Sequence, residues 1–153
     1  MLTLEVQVDQ RIRFIGGTLA LAAAIVLGAC SSSSGPAASA TVVAQTVGSN
    51  GILLVAGSNS MTVYAFDKDV ANSGTSACTA TDDCIATWPA LTVPASTTPT
   101  AGAGVPGKMG TITRADSGVI QVTYNGVPLY LYSGDHAAGD SNGIYPDWNP
   151  VKP

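Results

Sequence analysis

One short pattern occurs twice in this chain, as Tyr64-Ala65-Phe66-Asp67-Lys68-Asp69 and as Tyr130-Leu131-Tyr132-Ser133-Gly134-Asp135. Each copy reads tyrosine, any residue, an aromatic, two residues, aspartate, and each follows a segment with hairpin character. Self-similarity of this kind implies one supersecondary unit built twice. A small meander cannot bury its apolar face alone, so the two copies must pack on one another.

Superimposing the motifs at their final aspartates extends the match upstream. Leu53-Leu54-Val55-Ala56 falls on Val119-Ile120-Gln121-Val122, the turn Asn59-Ser60 on Asn125-Gly126, and Val63 to Phe66 on Leu129 to Tyr132. Asn-Gly between β-branched and aromatic segments is a strong hairpin signal, because both residues tolerate the positive φ of a type I′ turn. Ile120, Val122 and Tyr124 alternate with Val119, Gln121 and Thr123, the period of a half-buried strand. In the next strand Leu129 and Leu131 share one face, Tyr130 and Tyr132 the other. Pro128 has no N–H and is predicted at a strand start or an edge.

Thr111 to Arg114 adds a strand before the second hairpin, and β-branched Thr41 to Val47 adds one before the first. At most one helical turn is predicted, over Asp83 to Thr87. Thr92 to Gly107, rich in Pro, Thr, Ala and Gly, reads as a long surface loop. The expected fold is all-β: two three-stranded meander repeats, about 41–91 and 108–153, packed as a small pseudo-symmetric barrel or sandwich with one disulfide loop.

Ahead of this domain, Arg11 and Arg13 precede an apolar run from Phe14 to Ala29. A basic n-region, a short h-region and small residues before a cut site describe a signal peptide over residues 1–29. An uncleaved anchor helix is the alternative, but the run is shorter than a spanning helix wants. Glu5 and Asp9 are unusual in an n-region and point to a start downstream of Met1. Ser31 to Ala40 follows as a flexible tether.

From Thr41 onward there are four basic residues, eight Asp and no Glu. So acidic and sparsely charged a surface argues against a nucleic-acid partner, which selects basic patches. Cys78 and Cys84, in an exported chain, read most simply as a disulfide. Asp82 and Asp83 beside them would raise a thiol pKa and disfavour redox use.

These residues resemble a known family, the bacterial lipoproteins described as secreted repeats with a Y-x4-D motif. The likeness rests on Met61 to Asp69, Ser76-Ala77-Cys78 with Cys84, Trp88-Pro89, Ile112 to Asp116, Gln121 to Gly126, Pro128-Leu129-Tyr130 and Gly139 to Gly143. Two departures stand out: the cysteines lie farther apart than the family's Cys-x-Gly-x-Cys, and Ser117 is inserted before Gly118. Leu27-Gly28-Ala29-Cys30 likewise resembles a lipobox, which implies that Cys30 is lipidated and becomes the new N-terminus. The resemblance implies a cell-envelope protein on the membrane surface and carries no reaction with it.

The motif residues Tyr64, Asp69, Tyr130 and Asp135 are the first candidates for a ligand site. A phenol and a carboxylate at a strand end can converge on a cation or polar ligand. Alternatively, each Asp caps its own turn and each Tyr fills the core with its hydroxyl satisfied. The loop Asp135 to Gly143 carries oxygen ligands at short spacing, but Val151 stands where an EF-hand loop needs its last acid. His136, the single histidine, cannot build a multi-histidine metal site. No Gly-x-Ser-x-Gly elbow is present. The expectation is a non-enzymatic envelope module that binds a protein or small ligand, with a metal-, haem- or flavin-binding redox accessory as the alternative.

Overall fold

The structure is a computed structural model that describes residues 40–153. The predicted signal segment, Cys30 and the tether before residue 40 lie outside the described residues. Strands β1 (Val42–Thr46) and β2 (Ile52–Ala56) form an antiparallel hairpin, with Val42 opposite Ala56 and Thr46 opposite Ile52. β3 (Tyr64–Phe66) follows, then the single helical turn α1 (Cys84–Thr87) and β4 (Thr92–Val93). The second repeat contributes β5 (Met109–Thr113), β6 (Ile120–Tyr124), β7 (Val127–Pro128) and β8 (Trp148–Pro150). The architecture is all-β, as expected, in several small antiparallel sheets that do not close into a barrel.

Each repeat is a meander whose last partner comes from the other repeat. In the first, Val63 N–H donates to Leu54 O (2.9 Å), and Leu54 N–H donates to Val151 O (2.7 Å). In the second, Leu129 N–H donates to Val122 O (2.9 Å), and Val122 N–H donates to Leu91 O (2.8 Å). Val151 therefore does for the first repeat what Leu91 does for the second. Both lie three residues after a tryptophan. β3 pairs with β8, not with a strand of its own repeat, and Leu131 N–H donates to Pro89 O (2.8 Å). At the centre Tyr64 and Tyr130 form an antiparallel bridge.

This bonding corrects the ungapped superposition of the sequence. Leu54 is equivalent to Val122, not to Ile120. The β2 hairpin closes with Ala56 N–H on Met61 O, whereas β6 and β7 close as a pair at Tyr124 and Val127. The first turn thus holds two more residues than the second. Asn125 and Gly126 have φ of 51° and 83°, the type I′ conformation that Asn-Gly predicts. Pro128 lies in β7, where its missing N–H breaks no ladder.

The predicted faces hold in the third strands. Val63 and Leu129 join a core with Val42, Leu54, Leu91 and Val122, while Tyr64 and Tyr130 face an aromatic core with Trp88 and Trp148. Two expectations change. β6 is buried on both faces, since Gln121 and Thr123 are as enclosed as Val122. The stretch from Thr92 to Gly107 is not only a surface loop: it contains β4, and its Ala101 runs parallel to β1 at Val42.

Candidate functional site

The four motif residues meet across the repeats. The Tyr64 hydroxyl donates to Asp135 Oδ2 (2.7 Å), and the Tyr130 hydroxyl donates to Asp69 Oδ2 (2.6 Å). Neither tyrosine bonds the aspartate of its own motif. The backbone explains this, because each motif strand enters at the central bridge and leaves past the opposite repeat's loop. The other oxygen of each carboxylate holds the loop that follows it. Asp69 Oδ1 accepts Ala77 N–H (2.6 Å), and Asp135 Oδ1 accepts Asn142 N–H (2.8 Å). These reaches are longer than the local turn caps that the sequence suggests.

The pairs are chemically quiet. Burial, and then the hydrogen bond to Asp135, pushes the Tyr64 phenol far above its ordinary range; burial and Asp69 do the same to Tyr130. Both remain protonated donors, not bases or nucleophiles. Burial also raises the Asp69 carboxyl, against the lowering effect of the Ala77 amide and the Tyr130 hydroxyl. Gly143 N–H donates to the Tyr64 oxygen (3.1 Å), and a Cβ on Gly143 would come within 2.8 Å of the Tyr64 ring. Only glycine fits that approach.

Between the crossings lies an aromatic column. Trp88 and Trp148 stack with ring centres 3.8 Å apart and planes 1° from parallel. Phe66 caps the Trp148 end at 4.4 Å, and Tyr132 covers the Trp88 end at 4.7 Å. Phe66 and Tyr132 are the second aromatics of the two motifs, so the column too alternates between repeats. Tyr145 meets Tyr132 at the surface, their hydroxyls 2.9 Å apart. That bond is the main cause raising the Tyr132 phenol.

The symmetry breaks at Arg114. Val47 N–H bonds Gly51 O as Arg114 N–H bonds Val119 O, so the two positions are equivalent. Val47 packs with Leu53 and Val55 in an apolar cluster. Their counterparts Arg114, Gln121 and Thr123 are polar and buried. The Arg114 guanidinium reaches Asp116 through Nε (3.0 Å) and Nη2 (2.6 Å), Cys78 O through Nη2 (2.6 Å), and both Ser76 Oγ (3.1 Å) and Gln121 Oε1 (2.8 Å) through Nη1. All five of its donors are engaged. The guanidinium holds the Asp116 carboxyl far below the usual carboxylate range. Sequence reading assigned Arg114 no role. The signal available was a lone arginine ending a strand, two residues before an aspartate.

Cys78 and Cys84 are joined as expected, with Cα atoms 5.3 Å apart. Their loop is tied to the second repeat by Arg114 at Cys78 O and by Asp116 Oδ2, which accepts Ala80 N–H (3.1 Å). Ser76 Oγ links this network to the Tyr130 hydroxyl at 2.6 Å. Beside it opens a cleft of about 310 Å³ edged by Thr75, Thr79, Thr81 and Thr113. With Arg114 saturated, the cleft has a mostly apolar lining and no spare guanidinium donor for an anion.

In the loop from Asp135 to Gly143, Asp140 Oδ2 accepts the amides of His136 (2.8 Å) and Ala137 (2.9 Å), which lower its carboxyl pKa. Among the described residues no three His, Cys, Asp or Glu side chains gather around a point that could hold a metal, and no buried side-chain nitrogen or oxygen lacks a partner.

A family model described as a secreted repeat of unknown function matches residues 47–92 and again residues 110–152. The two matched segments correspond to the two structural repeats. No curated protein and no solved structure matches the chain.

Proposed function

The chain belongs to this family of secreted repeats of unknown function, and on that premise we propose that it is a lipid-anchored envelope protein acting as a non-enzymatic binding module. Cys30 carries the lipid, residues 31–40 form the tether, and the duplicated domain meets a protein or small ligand outside the cytoplasm. A secreted family supports the extracytoplasmic location.

One observation carries the reading of the domain. The motif residues that would be the natural reactive centre hold the two repeats together, with each phenol donating to the opposite repeat's carboxylate. Recognition then falls to the surfaces that this frame supports.

Detergent-phase partitioning tests the anchor. The wild-type protein enters the detergent phase, and Cys30→Ala moves it to the aqueous phase. Partitioning that persists in Cys30→Ala overturns the lipid assignment. Native mass spectrometry of the purified protein tests the module: a stoichiometric ion, haem or flavin on the chain counts against it.

A further inference from the structure

The two repeats are equivalent in their inner strands but not at their outer edges. On the outer edge of β1 runs the segment from Thr100 to Ala103. Thr41 N–H and Val42 N–H donate to Thr100 O (2.9 and 3.3 Å), Gly102 N–H to Val42 O (2.8 Å) and Ala44 N–H to Ala103 O (3.2 Å). The bridge between Val42 and Ala101 is parallel. β5 is the counterpart of β1, since Met109 faces Tyr124 as Val42 faces Ala56. The alternation of the ladder turns the amides and carbonyls of Met109, Thr111 and Thr113 outward, as it turns those of Val42 and Ala44. Among the described residues no backbone group covers them.

A groove of about 500 Å³ opens over this end of the β5–β6 pair, lined by Gly110, Thr111, Ile112 and Thr123, with Asn72 and Asn125 at its rim. An uncovered strand edge is a template for another strand. We propose that β5 is a docking edge for an extended peptide segment of a separate envelope protein, added as a parallel strand in the way that residues 100–103 are added to β1. This rests on the reading of the domain as a binding module and names its surface and partner.

The molecule also indicates how the peptide differs from its internal counterpart. A Cβ on Gly102 would meet Val43 Cγ1 at 2.5 Å and Ala40 Cβ at 2.9 Å, so the segment on β1 must carry glycine there. Gly110 stands at the position of Val43, opposite Thr123 as Val43 is opposite Val55. With that side chain gone, the clash with Val43 has no counterpart on β5, where the Thr123 hydroxyl borders the space over Gly110. The preferred ligand is therefore a small-residue strand with one bulky side chain over Gly110. Main-chain bonds give such a complex its affinity, and the side-chain position gives its selectivity.

The probe is a synthetic peptide of residues 97–106 carrying Gly102→Leu, added to the full-length protein in detergent and followed by hydrogen exchange. The amides of Met109, Thr111 and Thr113 become protected, and the unsubstituted peptide binds about tenfold more weakly, as loss of one buried side chain implies. Thr111→Pro removes an outward N–H that takes no part in the β5–β6 ladder. It abolishes protection at Met109 and Thr113 while exchange in β6 stays slow. Absence of peptide-dependent protection in β5 overturns the proposal, as does equal protection with both peptides in the Thr111→Pro protein. Protection that rises with protein concentration without peptide assigns the edge to a second copy and overturns the heterologous partner. These outcomes are independent of the anchor: partitioning unchanged in Cys30→Ala removes the lipid and leaves the edge standing.

Discussion

Tyr64 and Tyr130 face each other as an antiparallel backbone pair, each amide donating to the other's carbonyl at 2.8 and 2.9 Å. The pseudo-twofold relation of the repeats passes between them. Their hydroxyls then diverge, one to Asp135 and one to Asp69. The motif is thus a device for joining two copies, and its parts have meaning only across the pair.

Double-mutant cycles in urea unfolding will report this crossing. Tyr64→Phe and Asp135→Ala should couple by about 0.5–3 kcal/mol, the range for residues that share a hydrogen bond. Tyr64→Phe and Asp69→Ala, within one motif, should add to within about 0.5 kcal/mol. Stronger coupling inside a motif than across repeats would contradict the arrangement.

Alkali should act through the same phenols. The native pKa of Tyr64 and of Tyr130 lies above the unfolded value of about 10, so the native state holds protons that the unfolded chain releases. Stability is intact below that pH and falls as pH rises beyond it. In a phenolate absorbance titration, two of the five tyrosines should ionise only as tertiary structure is lost. Reversible ionisation of all five in the folded protein would rule the burial out.

Removing the buried guanidinium leaves Asp116, Gln121 and Cys78 O without their donor. Arg114→Leu should cost about 1–3 kcal/mol, the penalty of leaving the buried acceptors Gln121 Oε1 and Cys78 O unpaired. Arg114→Val combined with Gln121→Leu and Thr123→Val copies the apolar cluster of the first repeat and should recover much of that loss. If the triple variant unfolds at lower urea than Arg114→Leu, the two positions are not equivalent.

Asp116 makes the stability acid-sensitive. Its native pKa is lowered by Arg114, so its contribution is complete above the unfolded value of about 3.9 and disappears as pH falls below it. The gap in melting temperature between wild type and Asp116→Asn should be clear at neutral pH and shrink in acid. A gap independent of pH would mean that the carboxylate charge plays no part.

The stacked indoles supply a spectroscopic signature. Rings 3.8 Å apart and parallel should couple as an exciton pair in far-ultraviolet circular dichroism. Trp88→Phe and Trp148→Phe should each abolish the couplet, because either removes one oscillator. A couplet that survives one of them belongs to other chromophores.

The duplication, the strand faces and the disulfide were legible because they depend on local order: alternation in Leu129 to Tyr132, Asn125-Gly126 at a turn, two cysteines close together. What was hidden is carried by long-range partners. Superposition by residue count hid the two extra turn residues before Met61 and so shifted Leu54 against its true equivalent. No periodicity records that β3 pairs with β8. Gln121 and Thr123 read as a solvent face because they are polar, yet the Arg114 network takes them inside. The motif tyrosines and aspartates do meet, but across the repeats, and their pairing follows from the exchange of strands and not from their spacing.

The pairing of β3 with β8 also sets an order of events. Leu54 and Tyr64 take their final partners from Val151 and Pro150, most of the domain's length downstream. Contacts so distant in sequence form late and slowly. The first repeat emerging by itself has an open sheet and half of its aromatic column, so it cannot lock into a finished fold. In a chain of a secreted family this leaves the fold incomplete until its last strand is available.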